Sequence, residues 1–178
     1  TTCFAFVGDS TFFASAITGV VNAVYNQANM VLVVLDNSTT AMTGHQPHPG
    51  TGRTVMGEIV QKINIEQVLR GIGVTEIETI NPLELEASVS CVKRMAEKSG
   101  VRAIIFKAPC IAVTKPKAPL HVDQDSCIGC KKCIRDLGCP TIVMNDGKIC
   151  IDASMCTGCH LCSQVCPVCA IAGGDDHE

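Results

Sequence analysis

Residues 3–36 read CFAFVGDSTFFASAITGVVNAVYNQANMVLVVLD. Two short runs rich in β-branched and apolar residues, 3–7 and 30–35, bracket a segment in which Phe13, Ile17, Val20, Val21 and Val24 recur at three- and four-residue steps. That spacing between two strand-like runs predicts a helix with one apolar face joining two parallel strands, a βαβ unit. Outward from it the alternation continues. After a long loop from residue 36 to about 53, residues 65–72 read as a helix and 74–80 as a strand. Asn81 and Pro82 then open a helix as N-cap and first-turn residue, Gly100 closes it, and residues 101–106 form a last buried strand.

The chain has 178 residues, 47% of them hydrophobic and 17% charged, enough to bury a core and too apolar for a disordered tail. Its net charge of −3 and six aromatic residues offer neither a basic footprint nor a stacking platform, so no nucleic-acid partner is expected. The longest strongly apolar run, 30–35, is far too short to cross a bilayer, so no membrane role is expected either. A proline-punctuated stretch at 115–119 suits neither helix nor sheet. It is read as a linker between a first domain, 1–114, and a second, 120–178.

Of thirteen cysteines, ten fall after residue 126. Cys127-x2-Cys130-x2-Cys133 and Cys156-x2-Cys159-x2-Cys162 lie 29 residues apart, and each is followed by a Cys-Pro, at Cys139 and Cys166. Ligands of one metal centre must converge within a few ångströms, so tight C-x2-C turns read as a cofactor cage rather than a disulfide framework. Thiolates of this kind need a reducing compartment, and the cytoplasm is expected. Between the repeats, Asn145-Asp146-Gly147 signals a hairpin turn. This part resembles bacterial two-cluster ferredoxins. The resemblance implies one [4Fe-4S] cluster on Cys127, Cys130, Cys133 and Cys166, and a second on Cys156, Cys159, Cys162 and Cys139. The first repeat departs from the pattern, with five residues rather than three before its Cys-Pro. Structural zinc is the alternative, since it also favours C-x2-C pairs. Cys150 and Cys169 are left over as spectator thiols, with Cys169 a substitute ligand in the alternative, and His160 reads as a surface side chain.

Gly8-Asp9-Ser10 follows the first strand directly, where α/β folds bind phosphates. After twenty-five intervening residues, Asp36-Asn37-Ser38-Thr39 ends the next strand, so two oxygen-bearing loops share one sheet edge. Mg²⁺ takes such oxygens together with phosphate oxygens, and Asp9, Asn37 and the Thr39 carbonyl supply the protein share. Ordinary Asx turns or caps at each strand end are the alternative. The spacing resembles the thiamine diphosphate motif, with Ser10 and Asp36 as departures from it. The stretches from Gly8 to Phe13 and from Leu35 to Gly50 resemble the catalytic subunit of indolepyruvate ferredoxin oxidoreductases, within the 2-oxoacid:ferredoxin oxidoreductase superfamily.

That resemblance implies an α/β fold, a partial doubly wound thiamine diphosphate-binding domain followed by a small α+β two-cluster ferredoxin domain. By it, Asp9, Asn37 and Thr39 hold Mg²⁺, and Gly8 and Ser10 hold the diphosphate. Thr43 and Gly44 run beside the thiazolium ring, and His45 and His48 act there as catalytic hydrogen-bond donors or proton carriers; a structural role for both in packing the proline-rich loop is the alternative. The activity implied is oxidative decarboxylation of a 2-oxoacid, an arylpyruvate such as indolepyruvate, to an acyl-CoA. Coenzyme A is the acyl acceptor, and electrons pass through both clusters to an external ferredoxin. Family members carry more chain upstream. The sequence also lacks an initiator Met, so the expected partners are the remaining part of the catalytic subunit or a companion chain, with a second (beta) subunit, in a hetero-oligomer. The rival reading is a non-catalytic electron-transfer protein, a ferredoxin domain fused to an α/β docking domain.

Overall fold

The computed structural model describes residues 2–173, and the chain divides between Val113 and Thr114 into two compact units. In the first, β1 (Cys3–Gly8), β2 (Met30–Asp36), β3 (Glu76–Ile80) and β4 (Val101–Lys107) form a parallel sheet in the order β1-β2-β4-β3. The two central strands are the near-continuous apolar runs, as expected where both faces of a parallel sheet are covered. Leu32, Val34, Ala103 and Ile105 pack on one face against Phe12, Val20, Ile65 and Leu69. Val31, Val33 and Ile104 pack on the other against Cys91 and Met95. The covering helices are α1 (Asp9–Thr11), running through a π-helical stretch (Phe12–Ala16) into α2 (Ile17–Tyr25), with α3 (Ile65–Ile72), on the first face, and α4 (Leu85–Glu97) on the second. With helices on both faces, the sheet is doubly wound.

Three local expectations need correcting. Val21 is 48% exposed, whereas Phe12 is fully buried. Phe12 lies in a π-helical turn, which departs from regular helical spacing, while Phe13, Ile17, Val20 and Val24 pack on the core as expected. Asn81 does not cap a helix starting at Pro82: its Oδ1 accepts the Leu83 N–H at 3.0 Å in an Asx turn, and α4 starts only at Leu85. Nor does Gly100 close α4, which ends at Glu97; Gly100, at φ +82°, turns the chain into β4 instead. By contrast α3 has a regular cap at each end, Asn64 accepting the Gln67 N–H at 3.0 Å and Gly73 left-handed at φ +107°.

Beneath α4 lies Arg102, fully buried. Its Nε donates to the Met95 carbonyl at 3.0 Å and its Nη1 to Asn29 and to the Gly100 carbonyl, tying the end of α4 to the amino ends of β2 and β4.

The second unit pairs β5 (Leu120–Val122) antiparallel with β8 (Ile171–Gly173), and β6 (Ile142–Asn145) with β7 (Lys148–Ile151). Asp146 (φ +48°) and Gly147 (φ +78°) form the two-residue hairpin loop. The 29-residue repeat recurs in the backbone: Gly129 and Gly158 have φ +65° and +68°, Lys131 and His160 +59° and +60°. Each pair precedes a short helix, α5 (Lys132–Leu137) or α6 (Leu161–Val165). The two extra residues of the first repeat are therefore Leu137, one more helical residue, and Gly138, a left-handed cap at φ +57°. Gly158 is obligatory, since a Cβ there would lie 2.7 Å from the Ala118 carbonyl oxygen. Among the described residues, no helix is long and apolar enough to cross a membrane.

Leu69 is fully buried in the α3 face of the core. Leu69→Ala should destabilise the first unit by about 2–5 kcal/mol, read as a lower urea midpoint with unchanged slope.

Candidate functional site

The parallel register sets Gly8 beside Leu35, so the loops after β1 and β2 leave the sheet side by side. Asp9, only 3% exposed, begins α1. Its Oδ1 accepts the Ser10 N–H at 2.7 Å, and its Oδ2 accepts the Ser38 N–H from the neighbouring loop at 2.8 Å. Asp36 shares that donor at 3.0 Å, which the left-handed backbone of Ser38 (φ +61°) presents to both carboxylates. The Thr40 hydroxyl donates to the Ser10 hydroxyl at 3.0 Å, a second stitch between the loops. Asn37 Oδ1 accepts the Thr39 N–H at 3.2 Å in an Asx turn, and Thr39 is buried.

Burial is the main influence on the Asp9 carboxyl and raises its pKa above the ordinary 3.8. The Ser10 N–H and His48 oppose it, and the neighbouring Asp36 adds to it. Two carboxylates with hydroxyl, amide and carbonyl oxygens beside them form a hard-oxygen set with surplus negative charge, which suits a divalent cation.

His48 and His45, expected together, are separated. His48 is buried, and its Nδ1 accepts the Gly50 N–H at 3.1 Å, which places the ring proton on Nε2. Nε2 lies 3.2 Å from Asp9 Oδ2, without the alignment of a hydrogen bond. The Phe13 ring lies 5.8 Å from the imidazole, tilted by 30°. Gly50 closes the other side: a Cβ there would come within 3.0 Å of both His48 and Phe13. His45 instead is exposed on the turn formed by residues 40–46, near Thr43 and Gly44, which are also exposed. Sequence reasoning missed Ser38, Phe13, Gly50 and Lys107, whose Nζ is 3.5 Å from Asp36 Oδ2. A cavity of about 420 Å³ lies along this edge, lined by Asp36, His48, Lys62, Asn64, Thr79 and Lys107.

In the second unit the repeats exchange a cysteine. Cys166 joins Cys127, Cys130 and Cys133 around one small apolar cavity with Ile128 and Pro167. The Cys162 thiol is pushed up to about 11, chiefly by burial and then by Cys159, Cys139 and Cys156 beside it. Cys133 is raised by burial and by Cys130 and Cys127. Each quartet thus takes three thiols from one repeat and the fourth from the other. Among the described residues, no three Cys, His, Asp or Glu side chains converge on a single-ion site. In a cubane each thiolate binds a different iron, which requires the thiols to stand apart. The Leu120 N–H points to Cys156 Sγ at 3.5 Å and the Ala170 N–H to Cys166 Sγ at 3.3 Å. Cys169 is exposed at φ +53° and is not among the residues lining the first cavity. His160 serves through its backbone, whose carbonyl accepts the Ser163 hydroxyl at 2.8 Å.

Residues 1–106 match the thiamine pyrophosphate enzyme family, C-terminal TPP binding domain, and residues 120–167 match the 4Fe-4S dicluster domain. The chain belongs to the thiamine pyrophosphate enzymes, with an iron–sulfur domain following the TPP-binding one. More particularly, it is 45% identical over 169 residues to the indolepyruvate oxidoreductase subunit IorA of Methanothermobacter thermautotrophicus, covering 94% of this chain and 27% of that protein. It is 40% identical to the subunits of the same name from Archaeoglobus fulgidus and Thermococcus kodakarensis, each match covering 92% of this chain and 27% of the relative. The chain thus spans about a quarter of the length of these relatives.

A carboxyl whose pKa is higher folded than unfolded leaves stability intact at low pH and removes it as the pH rises from 3.8 through the folded value. In cofactor-free protein, Asp9→Asn should therefore be more stable than the parent at pH 7. Urea titrations over a pH series should show the gap closing as the pH falls toward 3.8.

Proposed function

We propose that this chain is the cofactor-binding and electron-transfer part of the catalytic subunit of an indolepyruvate:ferredoxin oxidoreductase, acting by oxidative decarboxylation of a 2-oxoacid to an acyl-CoA. The observation that carries this reading is the Asp9 carboxylate, buried and held by the Ser38 N–H between two adjacent strand ends, in one chain with two crossed cysteine quartets. Indolepyruvate and related arylpyruvates are the substrates inferred from the names of the relatives. Coenzyme A as acyl acceptor, an external ferredoxin as electron acceptor and a cytoplasmic location complete the proposal. So do a second (beta) subunit and the rest of the catalytic subunit, or a companion chain, in a hetero-oligomer.

In this reading Asp9, Asn37 and the Thr39 carbonyl hold Mg²⁺, while Ser10 and the backbone from Gly8 take the diphosphate. A Cβ on Gly8 would meet nothing within 4 Å, so the approach to that backbone is open. Thiamine diphosphate, when bound, supplies the carbon nucleophile that oxoacid cleavage needs. Thr43 and Gly44 border the reacting end, and exposed His45 is the hydrogen-bond donor there. His48 acts one step back: its clamped ring lies 3.2 Å from Asp9 Oδ2 and walls off the carboxylate that the Ser10 and Ser38 N–H groups orient. Cys127, Cys130, Cys133 and Cys166 hold one [4Fe-4S] cluster, and Cys156, Cys159, Cys162 and Cys139 the other. Their role is to pass electrons onward.

Asp9→Ala in the whole enzyme should abolish thiamine diphosphate retention, measured by mass analysis of released cofactor, and oxoacid-driven bleaching of the clusters. Iron content and dithionite bleaching should persist. Full cofactor retention by this variant would sink the enzymatic reading and leave an electron carrier. Independently, Cys166→Ser should lower iron and sulfide toward one cluster per chain, whereas Cys169→Ser should leave both at parent levels.

A further inference from the structure

Both Cys-Pro cysteines sit in the same turn but receive different hydrogen bonds. In the first, the Ile142 N–H donates to the Cys139 carbonyl at 3.2 Å; in the second, the Cys169 N–H donates to the Cys166 carbonyl at 3.3 Å. The residue two beyond each cysteine is Thr141 in one turn and Val168 in the other. Thr141 is 8% exposed, and its carbonyl is fixed by the Asp152 N–H at 2.8 Å. Its Oγ1 lies 3.2 Å from Cys139 Sγ. Val168 is 38% exposed and offers no donor. Cys166 Sγ accepts instead from a main-chain amide, that of Ala170, at 3.3 Å.

We infer that Thr141 is a tuning residue, its hydroxyl donating a hydrogen bond to the Cys139 thiolate and raising the reduction potential of the cluster that Cys139 ligates. The inference rests on the cluster assignment above. A thiolate bound to iron carries no proton, so in this pair only the hydroxyl has one to donate. One-electron reduction adds negative charge to the cluster and its sulfurs. A donor aimed at a ligating sulfur therefore stabilises the reduced form more than the oxidised form. Because Thr141 is buried and its main chain is tied to Asp152, the hydroxyl is held at the sulfur without competition from bulk water. The valine found at the matching place in the second turn is nearly isosteric with threonine, so Thr141→Val removes the donor and little else.

The test is a potentiometric titration of the intact holoenzyme, followed by electron paramagnetic resonance, on parent, Thr141→Val and Thr141→Ser proteins. Thr141→Val should move one midpoint potential to more negative values and leave the other in place. Thr141→Ser should titrate as the parent does. Two unchanged potentials in a fully loaded Thr141→Val enzyme, or equal displacement of both, would overturn the inference. If Thr141→Val fails to load, Thr141→Ala against Thr141→Ser makes the same comparison with the same two outcomes. Iron and sulfide analysis of the parent keeps the inference separate from its premise: fewer than two clusters there would defeat the assignment itself, whatever Thr141 does.

Discussion

The first unit turns on a carboxylate that water does not reach. Asp9 stands at the start of the helix after β1, where the unpaired N–H groups of a helix N-terminus favour negative charge. Its second oxygen is taken by a peptide N–H from the loop after β2. That bond exists because a parallel pair in this register ends both strands at the same height, and because Ser38 adopts a left-handed backbone that turns its N–H back across the gap. These donors do not neutralise the site. Burial dominates the Asp9 pKa, and Asp36 adds a second negative group. Lys107 lies 3.5 Å from Asp36, so the negative charge left without a cation is that of buried Asp9, on the carboxyl edge of the sheet where doubly wound folds place ligands.

The second unit solves a different geometric problem, gathering thiols from distant parts of a short chain, Cys166 beside Cys127, Cys130 and Cys133, and Cys139 beside Cys162. A loop with two left-handed positions presents three of them, and repeating that loop 29 residues later gives a second triple of the same shape. Neither loop reaches a fourth corner on its own. The Cys-Pro after each short helix leaves its own triple and joins the other, so each repeat completes its partner. The longer first repeat does not disturb the exchange, because one added residue extends α5 and the other reverses the chain as a glycine.

Legibility followed the range of the interactions. Strands β2 and β4 could be read from 30–35 and 101–106 because each residue's own side chain reports burial on both faces. The two cysteine triples stand out along the chain because a C-x2-C turn keeps its thiols close, whereas the crossing of Cys139 and Cys166 was implied only by the resemblance to two-cluster ferredoxins. On the first helix Phe13, Ile17, Val20 and Val24 were read correctly as the core face, but burial of Phe12 and exposure of Val21 were not, because no single residue marks the π-helical turn. Asn81 was ambiguous in kind: the same side-chain oxygen serves an Asx turn or an N-cap, and only the later chain decides. Least visible was the burial of His48. It depends on Phe13, 35 positions earlier in the sequence, and on the missing side chain of Gly50, so one loop buries one histidine and displays the other.

Both units share a thermodynamic consequence. Without cofactors, Asp9 carries a charge in a site that disfavours it, and Cys133 and Cys162 hold thiols whose ionisation burial opposes. At neutral pH the first works against the empty fold, whereas thiols whose pKa is raised stay protonated there and cost it nothing. Under the proposed assignment a divalent cation would answer the negative charge of Asp9, and iron would take the place of the proton on each ligating sulfur. A group that binds the folded chain and not the unfolded one adds its binding free energy to stability. In the proposed reading, the buried carboxylate at the sheet edge is therefore a place where binding of a cation would add directly to the stability of the fold.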